Sequence, residues 1–219
     1  MIETRTSGLR ERKKQRTREL IAETARRLFA ERGFDHVTIA EVAAAADVAQ
    51  QTVFNYFPTK EDLVFWRMEA FEGELLAAIR DRAPGEPVLS AFGRFVREPR
   101  GLLAKQDAAA RERLTEVTRM IEQSSALRER EERIFAGYTD SLAQLLAREQ
   151  GPGGSQAEAW VAANALMGVH RALVARARQS VLAGTGHAAL RRELSAETER
   201  ALALLDHGLG DYAVKLPAS

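Results

Sequence analysis

Apolar residues recur at intervals of three and four along the whole of this chain, and nowhere do β-branched and aromatic residues alternate long enough to suggest a strand. Ala, Leu, Arg and Glu, all good helix formers, dominate the sequence. This pattern confines the fold to an all-α architecture. At 219 residues, 45% of them hydrophobic, the chain can build a small domain joined to a larger one.

Composition excludes several functions. There is no cysteine, which removes disulfides, thiolate metal sites and cysteine nucleophiles, and His36, His170, His187 and His207 form no ligand-spaced cluster. No metal and no cofactor is expected. The N-terminus lacks the apolar stretch of a leader, and no segment is apolar for the ~18 residues that a bilayer span needs. The expectation is a cytoplasmic protein with no membrane partner. It is also expected not to be an enzyme: acidic, hydroxyl and imidazole side chains are spaced as on solvated helix faces, and the Gly-rich stretch at 151 to 154 lacks the lysine of a phosphate loop.

Net charge is only +1, yet its distribution is uneven. From residue 5 to 18 the chain carries Arg5, Arg10, Arg12, Lys13, Lys14, Arg16 and Arg18 against Glu11 alone. Such a basic arm is most often a solvated tail, and it is also what a phosphate backbone attracts.

The periodicity predicts a first helix over 10 to 32, with Leu20, Ile21, Ala25, Leu28 and Phe29 on one face and Gly33 as its stop. Thr38-Ile39-Ala40-Glu41 is a capping box that opens a helix of about two turns through Ala45. Ala46-Asp47-Val48 breaks it, and a second short helix over 49 to 57 ends at Pro58. Thr59 and Asp62 form another box that starts a long helix carrying Leu63, Trp66, Phe71, Leu75 and Ile79. After the break at 83 to 87, helices are predicted at 87 to 97, 99 to 122, 125 to 149, 155 to 183 and 195 to 213.

Two short helices joined by a tight bend have the dimensions of a helix-turn-helix. At about 100° per residue the second helix puts Val53, Phe54 and Phe57 on its inner side, and Gln51, Thr52, Asn55 and Tyr56 on its outer side. Gln50 lies in the first turn, the end that reaches deepest into a major groove. Gln and Asn amides can bond adenine edges, whereas threonine and tyrosine hydroxyls can bond phosphates. Uncharged polar residues on a short helix are more often merely solvated, so the pattern alone leaves both readings open.

The strings Ala30-Glu31-Arg32-Gly33-Phe34-Asp35-His36-Val37-Thr38-Ile39-Ala40-Glu41-Val42-Ala43, Ala46-Asp47-Val48 and Gln51-Thr52-Val53-Phe54-Asn55-Tyr56-Phe57-Pro58-Thr59-Lys60-Glu61-Asp62-Leu63 resemble the N-terminal domain of the TetR (tetracycline-repressor-like) family. The resemblance covers about residues 10 to 63. It implies a homodimer that reads a palindrome in double-stranded DNA and is released by a small-molecule effector. It implies base reading by Gln50, Gln51 and Asn55, and phosphate contact by Thr38, Thr52, Tyr56 and Lys60. Lys60 also suits that role on its own terms, since free N–H groups at a helix start favour an anion. Three positions depart from the family pattern. Ala49 stands where Ser or Thr usually caps the recognition helix, Asp47 where glycine is common, and Phe54 where tyrosine is common. Phe54 is then read as core, with Tyr56 taking over a backbone contact.

The domains are therefore drawn as 1 to 62, a helix-turn-helix domain with a basic arm, and 63 to 219, a helical effector-binding and dimerisation domain. Trp160, Ala163, Met167, Val174 and the small Ala and Gly positions in the helix at 155 to 183, and Leu194, Thr198, Ala201, Leu202, Leu205 and Leu209 in or beside that at 195 to 213, are the candidates for pairing with a second copy. Phe92, Phe95, Met120, Phe135, Tyr138, Trp160, Asn164, Met167 and His170 are the candidates for an effector pocket, because apolar walls with a few polar groups suit a small amphipathic ligand. The resulting expectation is a ligand-responsive repressor. The competing one is a helical enzyme or ligand carrier whose N-terminal motif is vestigial.

Overall fold

A computed structural model describes residues 3–105 and 107–208. The regular elements among them are all helical: α1 (Glu3–Arg32), α2 (Ile39–Ala45), α3 (Gln50–Tyr56), α4 (Asp62–Phe65), α5 (Glu69–Arg80), α6 (Val88–Arg97), α7 (Ala108–Gln123), α8 (Ser125–Gln150), α9 (Gln156–Leu182) and α10 (His187–His207). Short 3-10 turns lie at Trp66–Met68, Gly101–Ala104 and Gly151–Gly153.

The predicted helices are thus present, with four differences. The first begins at Glu3, so the basic arm is itself helical; Leu20 is 52% exposed on it, while Ile21, Ala25 and Phe29 are buried. The helix from Thr59 is not continuous, because α4 gives way to the 3-10 turn at Trp66–Met68 before α5 begins. The β-branched and aromatic run Val64-Phe65-Trp66 is poorly suited to an unbroken helix. The helix expected at 99 to 122 starts only at Ala108, where the Asp107 Oδ1 accepts from the Ala110 N–H at 2.7 Å and caps it. The last helix starts at His187 rather than 195, and Leu190 in its early turns is buried. Leu209 and the end of the segment expected to reach 213 lie outside the described residues, as does the side chain of Arg5.

Two compact units form. They are not the consecutive segments 1 to 62 and 63 to 219: the first comprises Met1–Glu69 together with Arg119–Glu131, and the second Ala70–Thr118 with Glu132–Ser219. In the first, α1 packs on α2 and α4, and α2 on α3. Its buried side chains include Phe29, Phe34, Val37, Val42, Val53, Phe57, Leu63 and, from the α7–α8 junction, Ile121 and Leu127. Each such residue contributes about 1.5–3 kcal/mol on leaving water, so this small unit has a core of its own. In the second unit α10 packs on α9 and α6, over a core that includes Phe92, Phe95, Leu142, Ala163, Met167 and Leu202. Arg97 joins α6 to α10 by donating to both carboxylate oxygens of Glu199, at 2.7 and 2.9 Å. No helix among the described residues is long and apolar enough to cross a membrane.

Candidate nucleic-acid interface

Helix α2 is launched by the box read from the sequence. Thr38 Oγ1 accepts from the Glu41 N–H at 3.3 Å, and the Thr38 N–H donates to Glu41 Oε2 at 2.8 Å. Arg32 Nη2 adds a 2.7 Å bond to the other carboxylate oxygen. The Thr38 N–H bond, then Arg32 and the Thr38 hydroxyl, hold the Glu41 carboxyl at about 2, well below the usual range. Thr38, assigned to phosphate contact, is exposed, but its hydroxyl already donates to Glu41 at 2.8 Å.

The bend after α2 is a Schellman closure. The Val48 N–H reaches back to Ala43 O at 3.0 Å and the Asp47 N–H to Ala44 O at 3.2 Å. Asp47 itself takes φ +53, the left-handed conformation that explains why glycine suits this position. Asp47 does not cap the next helix. Ala49 is the N-cap of α3 and makes no side-chain bond, so that helix starts without the hydroxyl its sequence lacks.

Helix α3 buries Val53 and Phe57 completely. Taking Gln50 as the origin, Gln50, Phe54, Gln51 and Asn55 fall at roughly 0°, 40°, 100° and 140° around the axis. All four are exposed, and Thr52 and Tyr56 on the flank are half-buried. The assignment of Phe54 to the core is therefore wrong: the ring is 44% exposed. Its angular position among the amides was the available signal, outweighed by its apolar character. Gln51 Nε2 donates to Asn55 Oδ1 at 3.2 Å, which aligns two of the three amides with each other.

Lys60 is half-buried with Nζ 4.2 Å from the centroid of the Phe34 ring and 5.9 Å from that of Phe29. Burial pushes its ammonium below the usual lysine range, against the opposing pull of Asp35, Glu61 and Glu41. Arg18 likewise leaves the basic arm, its guanidinium lying over the rings of Phe57 and Trp66 at 5.5 and 5.8 Å. Arg10, Arg12, Lys13, Lys14 and Arg16 stay exposed on α1.

Two contacts across long stretches of sequence brace this unit. Buried Asp62 accepts from Arg130 Nε at 2.9 Å and Nη2 at 2.6 Å, while also accepting from the Thr59 N–H at 2.9 Å. Ser124 Oγ donates to Asp35 Oδ1 at 2.9 Å. Both partners at the α7–α8 junction escaped the sequence reading, because no local pattern marks a pair 68 or 89 residues apart.

The effector candidates are scattered differently. In the second unit Phe71 stacks on His170 with centroids 4.4 Å apart and touches Phe95 and Tyr138 at 5.3 and 5.4 Å. Phe135 meets the His170 ring edge-on at 5.7 Å. Burial pushes the His170 imidazole down to about 4. Phe92 and Met167 are also buried in this unit, but Met120 belongs to the first, and Trp160 and Asn164 face solvent on α9. Phe71, at the centre of the cluster, was read only as part of a helix face. A separate cavity of about 260 Å³ at the α5–α6 turn, lined by Arg80, Arg82, Pro84, Glu86 and Glu149, contains none of the candidates.

A capped helix, a closed bend and a second helix that presents amides outward make the first unit a helix-turn-helix domain. Residues 21–65 match the model of a family described as bacterial regulatory proteins, tetR family, so this segment of the chain is similar to that family. The chain is 36% identical over 85 residues to the HTH-type transcriptional regulator TcmR of Streptomyces glaucescens, covering 39% of this chain and 38% of that protein. It is 48% identical over 47 residues to the HTH-type transcriptional regulator LuxR of Vibrio harveyi, covering 22% and 23%. The matches thus span well under half the length of these relatives. Across most of its length the chain shares the fold of two solved regulators. They are NalD, the secondary repressor of the MexAB-OprM multidrug efflux pump in Pseudomonas aeruginosa (TM-score 0.54, 21% identity, 85% of this chain and 97% of that one), and the fatty acid degradation regulator FadR from Bacillus halodurans (0.51, 22%, 91% and 97%).

Proposed function

We propose that this chain is a cytoplasmic, homodimeric transcriptional repressor, in which α3 of each copy reads one half of a palindromic operator and a small molecule bound in the second unit weakens that grip. The observation that carries the reading is the exposed arc of α3. Three amides stand in one arc of a helix whose other side is fixed by Val53 and Phe57. Gln50, Gln51 and Asn55 are assigned to base edges, and Thr38, Thr52, Tyr56 and Lys60 to phosphates. The matched segments of TcmR and LuxR, both transcriptional regulators, support the same role for this segment.

Dimerisation is supported by the outer face of α9. Ala157, Val161, Asn164, Gly168, Ala172 and Ala175, spaced by three and four, are all exposed and uncharged, with Trp160 beside them 55% exposed. A Cβ added at Gly168 would meet nothing within 4 Å. Such a seam lets a second helix approach closely. Of the larger side chains assigned to pairing, Met167, Thr198 and Leu202 are buried within the chain's own core, as is Ala163, while Trp160 and the small positions Ala157, Gly168, Ala172 and Ala175 are exposed. Effector binding is supported by the aromatic cluster around His170, an apolar surround with one polar ring.

The test is retention of DNA by the full-length chain at low salt, using the DNA next to its own gene and a randomised duplex pool. Retained duplexes are expected to be palindromic. If neither source yields a retained duplex, the proposal is overturned.

A further inference from the structure

Phenylalanine cannot bond a phosphate, and one left 44% exposed on a short helix needs a destination. Phe54 lies between Gln50 and Gln51 around the α3 axis, four residues after the first and three after the second, so its ring shares their face. The amides suit adenine edges. The one strongly apolar group that a base pair presents in the major groove is the thymine methyl, which stands at the groove wall beside such an edge. The bonded pair Gln51 and Asn55 sits on one side of the ring and Gln50 on the other, so an amide-read base and a methyl can be met by neighbouring side chains.

We infer that Phe54 is a specificity-determining residue whose ring packs against the C5-methyl of a thymine adjacent to a base pair read by the α3 amides. This rests on α3 being the DNA-reading helix. It goes further in naming a base, a chemical group on it and the side chain that touches it. It also makes the half-site rich in A·T pairs at the point where α3 enters.

The experiment uses the full-length chain and the tightest duplex selected from a randomised pool, with each thymine replaced in turn by deoxyuridine, which removes the methyl and nothing else. At one thymine of each half-site, the change is expected to weaken the wild-type protein about fourfold, the factor that one buried methyl-sized group supplies. Phe54→Ala is expected to bind the thymine and uracil duplexes alike, while keeping its low-salt binding to random DNA as evidence of a folded domain. Phe54→Leu, which restores apolar surface, is expected to recover part of the discrimination. Equal thymine-to-uracil ratios for wild type and Phe54→Ala, or no thymine whose methyl matters, would overturn the inference while leaving DNA reading intact. A wild-type chain that retains no duplex at all instead overturns the reading beneath it.

Discussion

The two units distribute polar and apolar chemistry in opposite ways. In the first, the groups with the most to offer a ligand are outside: Gln50, Gln51, Asn55 and Phe54 stand in solvent on a seven-residue helix whose inner side is fully packed. In the second, the imidazole lies against Phe71 and Phe135, and the outer face of α9 carries a line of small residues with Val161 and Asn164 among them. A polar arc with one exposed ring suits a patterned surface such as a base-pair edge, whereas a long uncharged seam suits another helix. A half-buried neutral imidazole among rings suits a ligand that brings its own apolar surface.

The contrast breaks most visibly at α9. Gly168→Arg places a charge in the middle of the seam, and an unpaired charge in a dry interface costs roughly 4 kcal/mol. Light scattering on the eluting protein is expected to change from dimer to monomer, with palindrome binding lost and the fold kept. A variant that remains dimeric would place the seam elsewhere.

Next in size is the pH response of the second unit. The folded chain holds His170 near 4, whereas in the unfolded chain it titrates near 6.5, so the unfolded state takes up the proton first as pH falls. The stabilisation is complete above pH 6.5 and drains away between there and about pH 4, on the order of 3 kcal/mol in all. His170→Phe keeps a ring against Phe71 but has no proton to gain. Denaturant titrations across that window are expected to show a steeper loss of stability for wild type than for the variant, which keeps only the carboxylate contribution near the acid end.

At the reading face, Gln51→Ala is expected to weaken specific binding by roughly 1–3 kcal/mol and to relax preference at one base pair. Lys60→Ala is expected to weaken all sequences alike and to lower the salt slope by about one. If the two variants behaved the same way, the division into base and phosphate contacts would fall. The smallest effect belongs to the bend. Asp47→Gly relieves a left-handed aspartate, and thermal unfolding is expected to show the first unit stabilised by at most about 1 kcal/mol, with specificity unchanged.

Local features were legible from the chain alone. Thr38 with Glu41 and Thr59 with Asp62 formed the boxes that their spacing predicts, Gly33 took a positive φ at the end of α1, and Pro58 followed the last residues of α3. These signals act over three or four residues, so sequence distance and spatial distance coincide. The delayed start of α7 was also within reach, since Asp107 stood there as a cap.

The rest depended on neighbours that sequence does not order. Periodicity grouped Phe54 with Val53 and Phe57, yet the elements packed on α3 cover only one side of a narrow helix, and the ring lies outside that side. Asp62 with Arg130, Asp35 with Ser124, and the assignment of Arg119–Glu131 to the first unit all arise from pairings across the chain. The same holds on α9, where Ala163 and Met167 face the core while Val161 and Gly168 do not. Sequence by itself determined that the chain is helical, where α2 begins and the bend to α3 falls, and which short helix carries amides, because hydrogen bonding and side-chain periodicity along a helix are local. Tertiary structure alone decided which apolar side chains were left in solvent, because burial is set by what packs against a face and not by the residue that occupies it.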